Sequence, residues 1–234
     1  MDLAIMQPYI FPYIGYYQLI YAVDKFILYD DVTFIKGGWI NRNNILINGT
    51  ASLFTVPLTG ASSNREIGAI EINEKMYPIW KKKFLKSLSQ NYSSAPFYDD
   101  VFPLIEEVLN VSSCSISTLA GRSLLAVCEH LKINTEFVNS SSVYGNHHLS
   151  GKDRVIDICK KEDAEHYINP IGGKELYDKS DFEGEGLHLS FIQTGEISYT
   201  QSKGDFVPYL SIIDVLMFNS KTETLKLMQN YQLV

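Results

Sequence analysis

The chain has 234 residues, 45% hydrophobic, 20% charged and 12% aromatic, with 20 Lys and Arg against 27 Asp and Glu for a net charge of −7. This length suits one large or two small domains with a buried core, and the composition excludes disordered, collagen-like and disulfide-scaffold chains. The acidic balance argues against a general nucleic-acid or anionic-membrane surface and leaves room only for a local basic pocket.

In chain order, Leu3–Met6 reads as a strand, the prolines of QPYIFP stiffen a loop, and Tyr13, Tyr16, Tyr17, Ile20 and Tyr21 recur at helical spacing up to Val23. The aromatic stripe at helical spacing reads as core, so Tyr13, Tyr16 and Tyr17 are expected to be buried. Lys25–Tyr29 is a continuous apolar run suited to a central parallel strand. Residues 32–73 read as a β-rich insertion, with strands at Asn44–Ile47, Ser52–Val56 and Ala69–Ile72 and an Asn48-Gly49 hairpin turn. Residues 74–132 carry three apolar helical stripes and read as a helical subdomain, Pro78 being tolerable in a first turn. The βα rhythm then returns with a strand at Thr135–Asn139, a helix at Asp153–Lys161, a strand at His166–Asn169, a short helix at Gly173–Asp178 and a strand at Leu187–Ile192. Helices at Ile212–Phe218 and about Thr222–Tyr231 end the chain. The expected architecture is a single α/β unit over residues 1–234, Rossmann-like with a mostly parallel sheet.

Cys114, Cys128 and Cys159 are odd in number and lie in apolar patterns, as buried thiols of a reducing compartment do. The apolar stretch from Pro8 to Val23 is too short and too interrupted to span a bilayer, so a cytoplasmic protein without a membrane span is expected.

The densest polar constellation is DDVTFIKGGWINRNN, residues 30–44, which follows the second strand, and ligands of open α/β sheets bind at that strand edge. Asp30 and Asp31 can accept from sugar hydroxyls or an amine, or hold a divalent cation through oxygen ligands; Lys36 and Arg42 can hold phosphate; Trp39 can stack on a pyranose or base. Asn41 and Asn43 can orient a ligand, and Gln7 and Tyr9 on the first loop would face the same edge. Two anion sites are further candidates: Lys152 and Arg154 in the first turn of a helix whose Ser150 and Asp153 have capping-box spacing, and the Gly172-Gly173-Lys174 turn between Tyr167 and Tyr177. No P-loop, dinucleotide fingerprint or nucleophile elbow occurs, and no metal-ligand set is assigned, the metal requirement being left open. His147-His148 reads as a solvated loop, and Asp214 as the partner of a Ser211 helix cap.

These segments resemble the WbqC-like family of bacterial proteins. The matching pieces are QPYIFPYIGYYQLI, a variant of ADKFILYDDVTFIKGGWINRN with Val23 at its first position, FTVPL, WKKKFLKSLSQNYSSAPFY, GKDRVIDICKKEDAEHYINPIGGKELY and GDFVPYLSIIDVL. The resemblance covers nearly the whole chain. It implies a role in O-antigen or other surface-polysaccharide synthesis and the transfer of glycine, or another amino acid, to an amino sugar. By position it implicates Gln7, Tyr9, Asp30, Asp31, Lys36, Asn41, Arg42, Asn43, Arg154, Tyr167, Gly173, Tyr177 and Asp205. Phe84 stands where many relatives are expected to have His, and Asn169-Pro170-Ile171 replaces a Ser-Gly-containing turn.

The leading expectation is that a nucleotide-linked amino sugar attacks an activated amino-acid donor, which a carrier protein could supply, with the cofactor left open. Asp30 or Asp31 would take the amine, Lys36 and Arg42 phosphate or oxyanion, and Arg154 and Lys174 a second phosphate. Two alternatives stand beside it. A nucleotidyltransferase-like enzyme would carry a degenerate histidine motif, Ile14 and Tyr16 standing near the histidine positions, and a scaffold of a glycan assembly system would bind without turnover.

Overall fold

The computed structural model describes residues 1–202 and 204–234. β1 (Asp2–Met6) buries Leu3, Ala4 and Ile5, runs into the proline-rich loop, and continues as α1 (Ile14–Tyr21) and β2 (Lys25–Leu28). β2 lies parallel to β1, with Ala4 opposite Phe26 and Met6 opposite Leu28. β3 (Arg42–Ile47) and β4 (Thr50–Thr55) form an antiparallel hairpin, closed at Asn48 and Gly49 with φ of 50° and 78° as a two-residue primed turn requires. β5 (Leu58–Thr59) pairs with β6 (Glu71–Ile72).

The helices α2 (Tyr77–Tyr92), α3 (Tyr98–Val108) and α4 (Ile116–Leu131) follow the three apolar stripes. Phe84 is buried on α2, stacked on Trp80 at 5.1 Å and packed on Phe54 of the hairpin at 4.7 Å, so its role is to join helix to hairpin. β7 (Glu136–Val138), α5 (Gly151–Lys161), β8 (His166–Pro170), α6 (Lys179–Glu183) and β9 (His188–Thr194) restore the alternation. α7 (Ile212–Phe218), α8 (Lys221–Met228) and β10 (Tyr231–Leu233) complete the chain.

The main sheet has the order β10-β9-β8-β1-β2-β7, and only the β9–β10 pair is antiparallel. In chain order the parallel strands are arranged 3-2-1-4-5, the doubly wound Rossmann-like pattern, which reverses between β1 and β8. Alternation along each strand feeds two cores. Leu3, Ile5 and Ile27 pack with Val155, Ile158 and Phe182 under α5 and α6, whereas Ala4, Phe26 and Leu28 pack with α1 and α4. Gly121 lets α4 approach closely, since a Cβ there would stand 2.9 Å from the Leu28 Cδ1.

Three local expectations differ. The short helix expected at Gly173–Asp178 is a 3-10 turn at Ile171–Glu175, and the α-helix comes later as α6, capped by the Asp178 side chain on the Ser180 N–H. The last helix stops at Met228, so Tyr231–Leu233 pairs with β9 as an edge strand that the short polar tail did not announce. The capping box falls on Ser220 and Glu223 of α8, whereas Ser150 makes no side-chain cap bond among the described residues. All three cysteines are free; Cys128 and Cys159 are buried, and burial pushes both thiols up to about 12. Among the described residues no helix is long and apolar enough to cross a membrane.

Candidate functional site

Two polar regions lie on the segments that follow the C-terminal ends of β1 and β2. In the first, Asp30 and Asp31 emerge from β2 and are buried at 7% exposure each. Ser117 of α4 donates to Asp30 Oδ2 at 2.8 Å and Ser140 to Oδ1 at 2.7 Å, while the Gly68 N–H caps the Asp30 carbonyl at 2.8 Å. Asp31 accepts from Ser141 Oγ and forms an ion pair with Arg154, whose Nη1 also donates to the Asp31 carbonyl at 3.3 Å. Arg154 is 4% exposed, lies against the Tyr29 ring at 5.1 Å, and gives its Nε to Asn146 at 2.9 Å. Burial raises the Tyr29 phenol above its ordinary range. A small pocket of about 260 Å3 adjoins the two carboxylates, lined also by Glu66, Gly68, Ser140 and Ser142. Each carboxylate is already held by donors of its own chain.

The second region is built on the proline-rich loop. Phe11 sits at φ 39°, a left-handed conformation unfavourable for a bulky residue, and is held there from several sides. Its N–H donates to Ser123 Oγ at 3.0 Å, and its carbonyl accepts from Asn43 Nδ2 at 2.9 Å and Ser211 Oγ at 2.6 Å. The loop so fixed presents Tyr9, Pro12 and Tyr13 to a cleft of about 410 Å3, whose other walls are Trp39, Asn43, Asn44 and Tyr209. Tyr209 is 80% exposed and itself left-handed at φ 58°. The Arg42 guanidinium stands 5.7 Å from the centre of the exposed Trp39 ring, and its Nε is buried with no hydrogen-bond partner among the described residues. Tyr13 and Tyr209 also line a neighbouring cleft of about 360 Å3 with Tyr199 and Phe206.

The cleft therefore unites Tyr9, Trp39 and Asn43 of the expected binding residues, with Arg42 beside Trp39. Other expectations are corrected. Tyr167 is fully buried, stacked on Phe182 at 5.6 Å and bonded to Asn169, because its strand is central; Tyr177 packs edge-on against it. Asn41 spends its amide on the Val56 carbonyl at 2.9 Å and so secures the hairpin. Neither anion site forms as expected. Arg154 turns inward to Asp31, and Lys152 pairs with Asp181 at 2.7 Å. Gly173 serves packing, since a Cβ would come 2.1 Å from Asn169 Oδ1, while Gly172 faces open space and Lys174 lies 5.8 Å over the Phe191 ring. Gln7 is half-buried and gives its carbonyl to the Tyr16 hydroxyl at 2.7 Å; Lys36 and Asp205 are exposed.

Four features escaped the sequence. Tyr13 precedes α1 and is 37% exposed, unlike the buried Tyr16 and Tyr17. Tyr209 belongs to a segment without periodicity. His147 brings Nδ1 to 3.5 Å from Asp31 Oδ2 rather than simply facing water. Asp214 is fully buried and accepts from Tyr92 at 2.9 Å, Tyr199 at 2.6 Å and Gln201 at 2.8 Å, while Ser211 caps the helix through the Ile213 N–H without it. Burial raises the Asp214 carboxyl despite these three donors. The signal for Asp214 was its place within an unbroken apolar run, Ile212 to Leu216.

Comparison with known proteins agrees with this chain-wide arrangement. The model of the WbqC-like protein family matches residues 7–226, a span that holds the β1 loop, both polar regions and α7. An uncharacterized protein of Mycobacterium tuberculosis, Rv1507c, is 30% identical over 225 residues, covering 94% of each chain. No solved structure matches. Because the match runs from the first loop almost to the last helix, the chain belongs to the WbqC-like family.

Proposed function

We propose that this protein transfers an activated aminoacyl group, such as glycyl, to the amine of a nucleotide-linked amino sugar in surface-polysaccharide synthesis. The observation that carries the reading is the cleft of Tyr9, Tyr13, Trp39, Asn43, Asn44 and Tyr209, with Arg42 against Trp39. Aromatic faces suit the apolar face of a pyranose or the plane of a base, and the cleft volume lies within the roughly 300–1,000 Å3 of small-molecule sites. The Arg42 guanidinium beside the Trp39 ring suits a phosphate, which a planar guanidinium fork binds through two parallel bonds. Lys36, exposed on the same connection, would add a second positive charge to a diphosphate. Asp30 and Asp31 serve in this reading as fixed, charged supports of the β2 edge rather than as free bases. A cytoplasmic location goes with it, and a carrier protein is one source of the aminoacyl donor.

The test is a thermal-shift panel of nucleotide-linked amino sugars, plain nucleoside diphosphates, ATP and amino acids on the parent protein and Arg42→Ala. A ligand at a hundred times its Kd adds about 2.7 kcal/mol of stability, or roughly 5–10 °C for a chain of this size. A shift confined to nucleotide-linked amino sugars and lost in Arg42→Ala is the expected result. Mass-spectrometric gain of one aminoacyl residue on that sugar then identifies the reaction. A shift with ATP alone would replace the reading with nucleotidyl transfer, and no shift with any ligand would favour a scaffold.

A further inference from the structure

An acyl transfer joins two substrates, and their reacting atoms must come within about 3–3.5 Å of one another. The Trp39 cleft takes one of them. The neighbouring cleft of about 360 Å3 adjoins it through a shared wall, since Tyr13 and Tyr209 line both. The pocket beside Asp30 and Asp31 has no lining residue in common with either.

The shared wall and the second cleft are held by specific contacts. The Tyr13 ring lies across Gly15 in the first turn of α1; a Cβ there would stand 2.4 Å from the Tyr13 Cε2 and 2.7 Å from its hydroxyl, so a larger residue would push the ring away. Burial, and then the nearby Tyr209 phenol, raise the Tyr13 phenol above its ordinary range. On the far side, Tyr199 donates its hydroxyl to the sealed Asp214 carboxylate at 2.6 Å, and its ring meets Phe206 edge-on at 5.2 Å. Gln201 secures the return of that segment, accepting from the Val207 N–H at 2.8 Å and donating to Asp214 at 2.8 Å. Asn230 fixes the backbone that carries Glu196, its carbonyl accepting from the Gly195 N–H at 2.8 Å and its Nδ2 donating to the Glu196 carbonyl at 2.7 Å. Asp214, which is no part of the Trp39 cleft, thus supports a wall of its neighbour.

The two clefts also differ in charge. Arg42 stands beside Trp39 in the first, whereas Glu196 is the one charged group among the described residues that line the second. A carboxylate among the rings of Tyr13, Tyr199, Phe206 and Tyr209 suits a primary ammonium, because it supplies the counter-charge and aromatic faces attract a cation. A diphosphate would meet a like charge there.

We infer that the Tyr199–Phe206 cleft is the donor subsite and takes the ammonium of the activated amino acid beside Glu196, an assignment that rests on the transferase reading of the protein. The acyl carbon then lies toward the Tyr13–Tyr209 wall, and the acceptor sugar approaches that wall from the Trp39 side. The subsite reads the free amine of the donor, so it takes aminoacyl donors in preference to simple acyl donors.

The experiment measures, by titration calorimetry, the binding of the N-acetylcysteamine thioesters of glycine and of acetic acid to the parent, Glu196→Gln and Phe206→Ala. Each titration is repeated in the presence of the nucleotide-linked amino sugar that gives the thermal shift described above. The parent should bind the glycine thioester about three- to tenfold more tightly than the acetic acid thioester. Glu196→Gln should erase that difference, and Phe206→Ala should weaken binding of the glycine thioester. The amino sugar should bind together with the glycine thioester, with the same affinity in both variants. Glu196→Gln is an exposed substitution and decides the matter even where Phe206→Ala does not fold. No binding of the glycine thioester, a preference that survives Glu196→Gln, or displacement of one substrate by the other would overturn the inference and leave the transferase reading standing. Glu196-dependent binding of the glycine thioester by a parent that binds no nucleotide-linked amino sugar would support the ammonium subsite and overturn the acceptor reading.

Discussion

Around Asp31 the chain satisfies its own charges: the carboxylate, the Arg154 guanidinium and the Asn146 amide are joined and nearly sealed from water. Around Trp39 the reverse holds, with a ring 45% exposed, Tyr209 80% exposed and Arg42 Nε unpaired among the described residues. The first is built from carboxylates, serines, Asn146 and Arg154 and the second mainly from aromatic rings with Asn43 and Asn44, yet both follow strands of the same sheet. The difference is that the first spends its polar groups on holding the β2 edge in shape, whereas the second leaves its rings exposed, as the proposed ligand site would need. A cluster of charged residues at a strand end is therefore not in itself a binding site; what matters is which donors and acceptors the fold leaves over.

The sharpest way to break this contrast is to remove one arginine from each region and measure urea denaturation. Arg154→Leu leaves the buried Asp31 carboxylate unpaired and should cost about 3–5 kcal/mol. Arg42→Leu should cost less than about 1 kcal/mol. Equal losses would mean that the cleft is as structural as the network.

A second test concerns the clasp between α7 and the segment that carries Tyr209. Asp214→Ala strips Tyr92, Tyr199 and Gln201 of their common acceptor and should cost about 1–3 kcal/mol in denaturant. Its pH dependence has a definite sign. The carboxyl titrates higher in the folded state than in the unfolded chain, so between those two values the folded state binds more protons. Through that window the Asp214 contribution to stability grows as pH falls and levels off below the ordinary carboxylate value of 3.8. The difference in unfolding free energy between the parent and Asp214→Asn, followed by urea titration across that range, should rise toward acid; a flat or falling difference would contradict the burial-driven shift.

Gly173→Ala should lose about 1–3 kcal/mol by driving a methyl group into Asn169, whereas Gly172→Ala should fall within about 0.5 kcal/mol of the parent. The reverse order in thermal denaturation would restore the anion-nest reading of this turn. The smallest effects on stability belong to the cleft. Trp39→Ala should change it by less than about 0.5 kcal/mol, and Tyr209→Gly, which relieves the left-handed backbone, by less than about 1 kcal/mol. Both should abolish the thermal shift produced by a nucleotide-linked amino sugar, and retention of that shift would remove these rings from the site.

Much of the frame was legible from local pattern. The continuous apolar run before Asp30 marked a central parallel strand, Asn48-Gly49 a primed hairpin turn, and the stripes through Phe84, Ile105 and Leu124 three packed helices. Each rests on a periodicity or a turn conformation that neighbouring residues impose on one another. The site was only partly legible. Tyr9, Trp39 and Asn43 were named because they follow strands, but nothing local distinguished them from Tyr167, which also lies beside a polar turn and is sealed in the core.

Residue order alone thus determined most of the segments that become strands and helices, that the strands alternate with helices into a mostly parallel sheet, and that a polar segment follows β2 at its C-terminal end. Tertiary structure decided which of those polar groups remain available. Arg154 is separated from Asp31 by 123 residues, Tyr209 from Trp39 by 170 and Asp214 from Tyr92 by 122, and each pairing arises only when the sheet brings distant loops together. A side chain's chemistry depends on its burial and its partners, and neither is a property of its immediate neighbours in the chain.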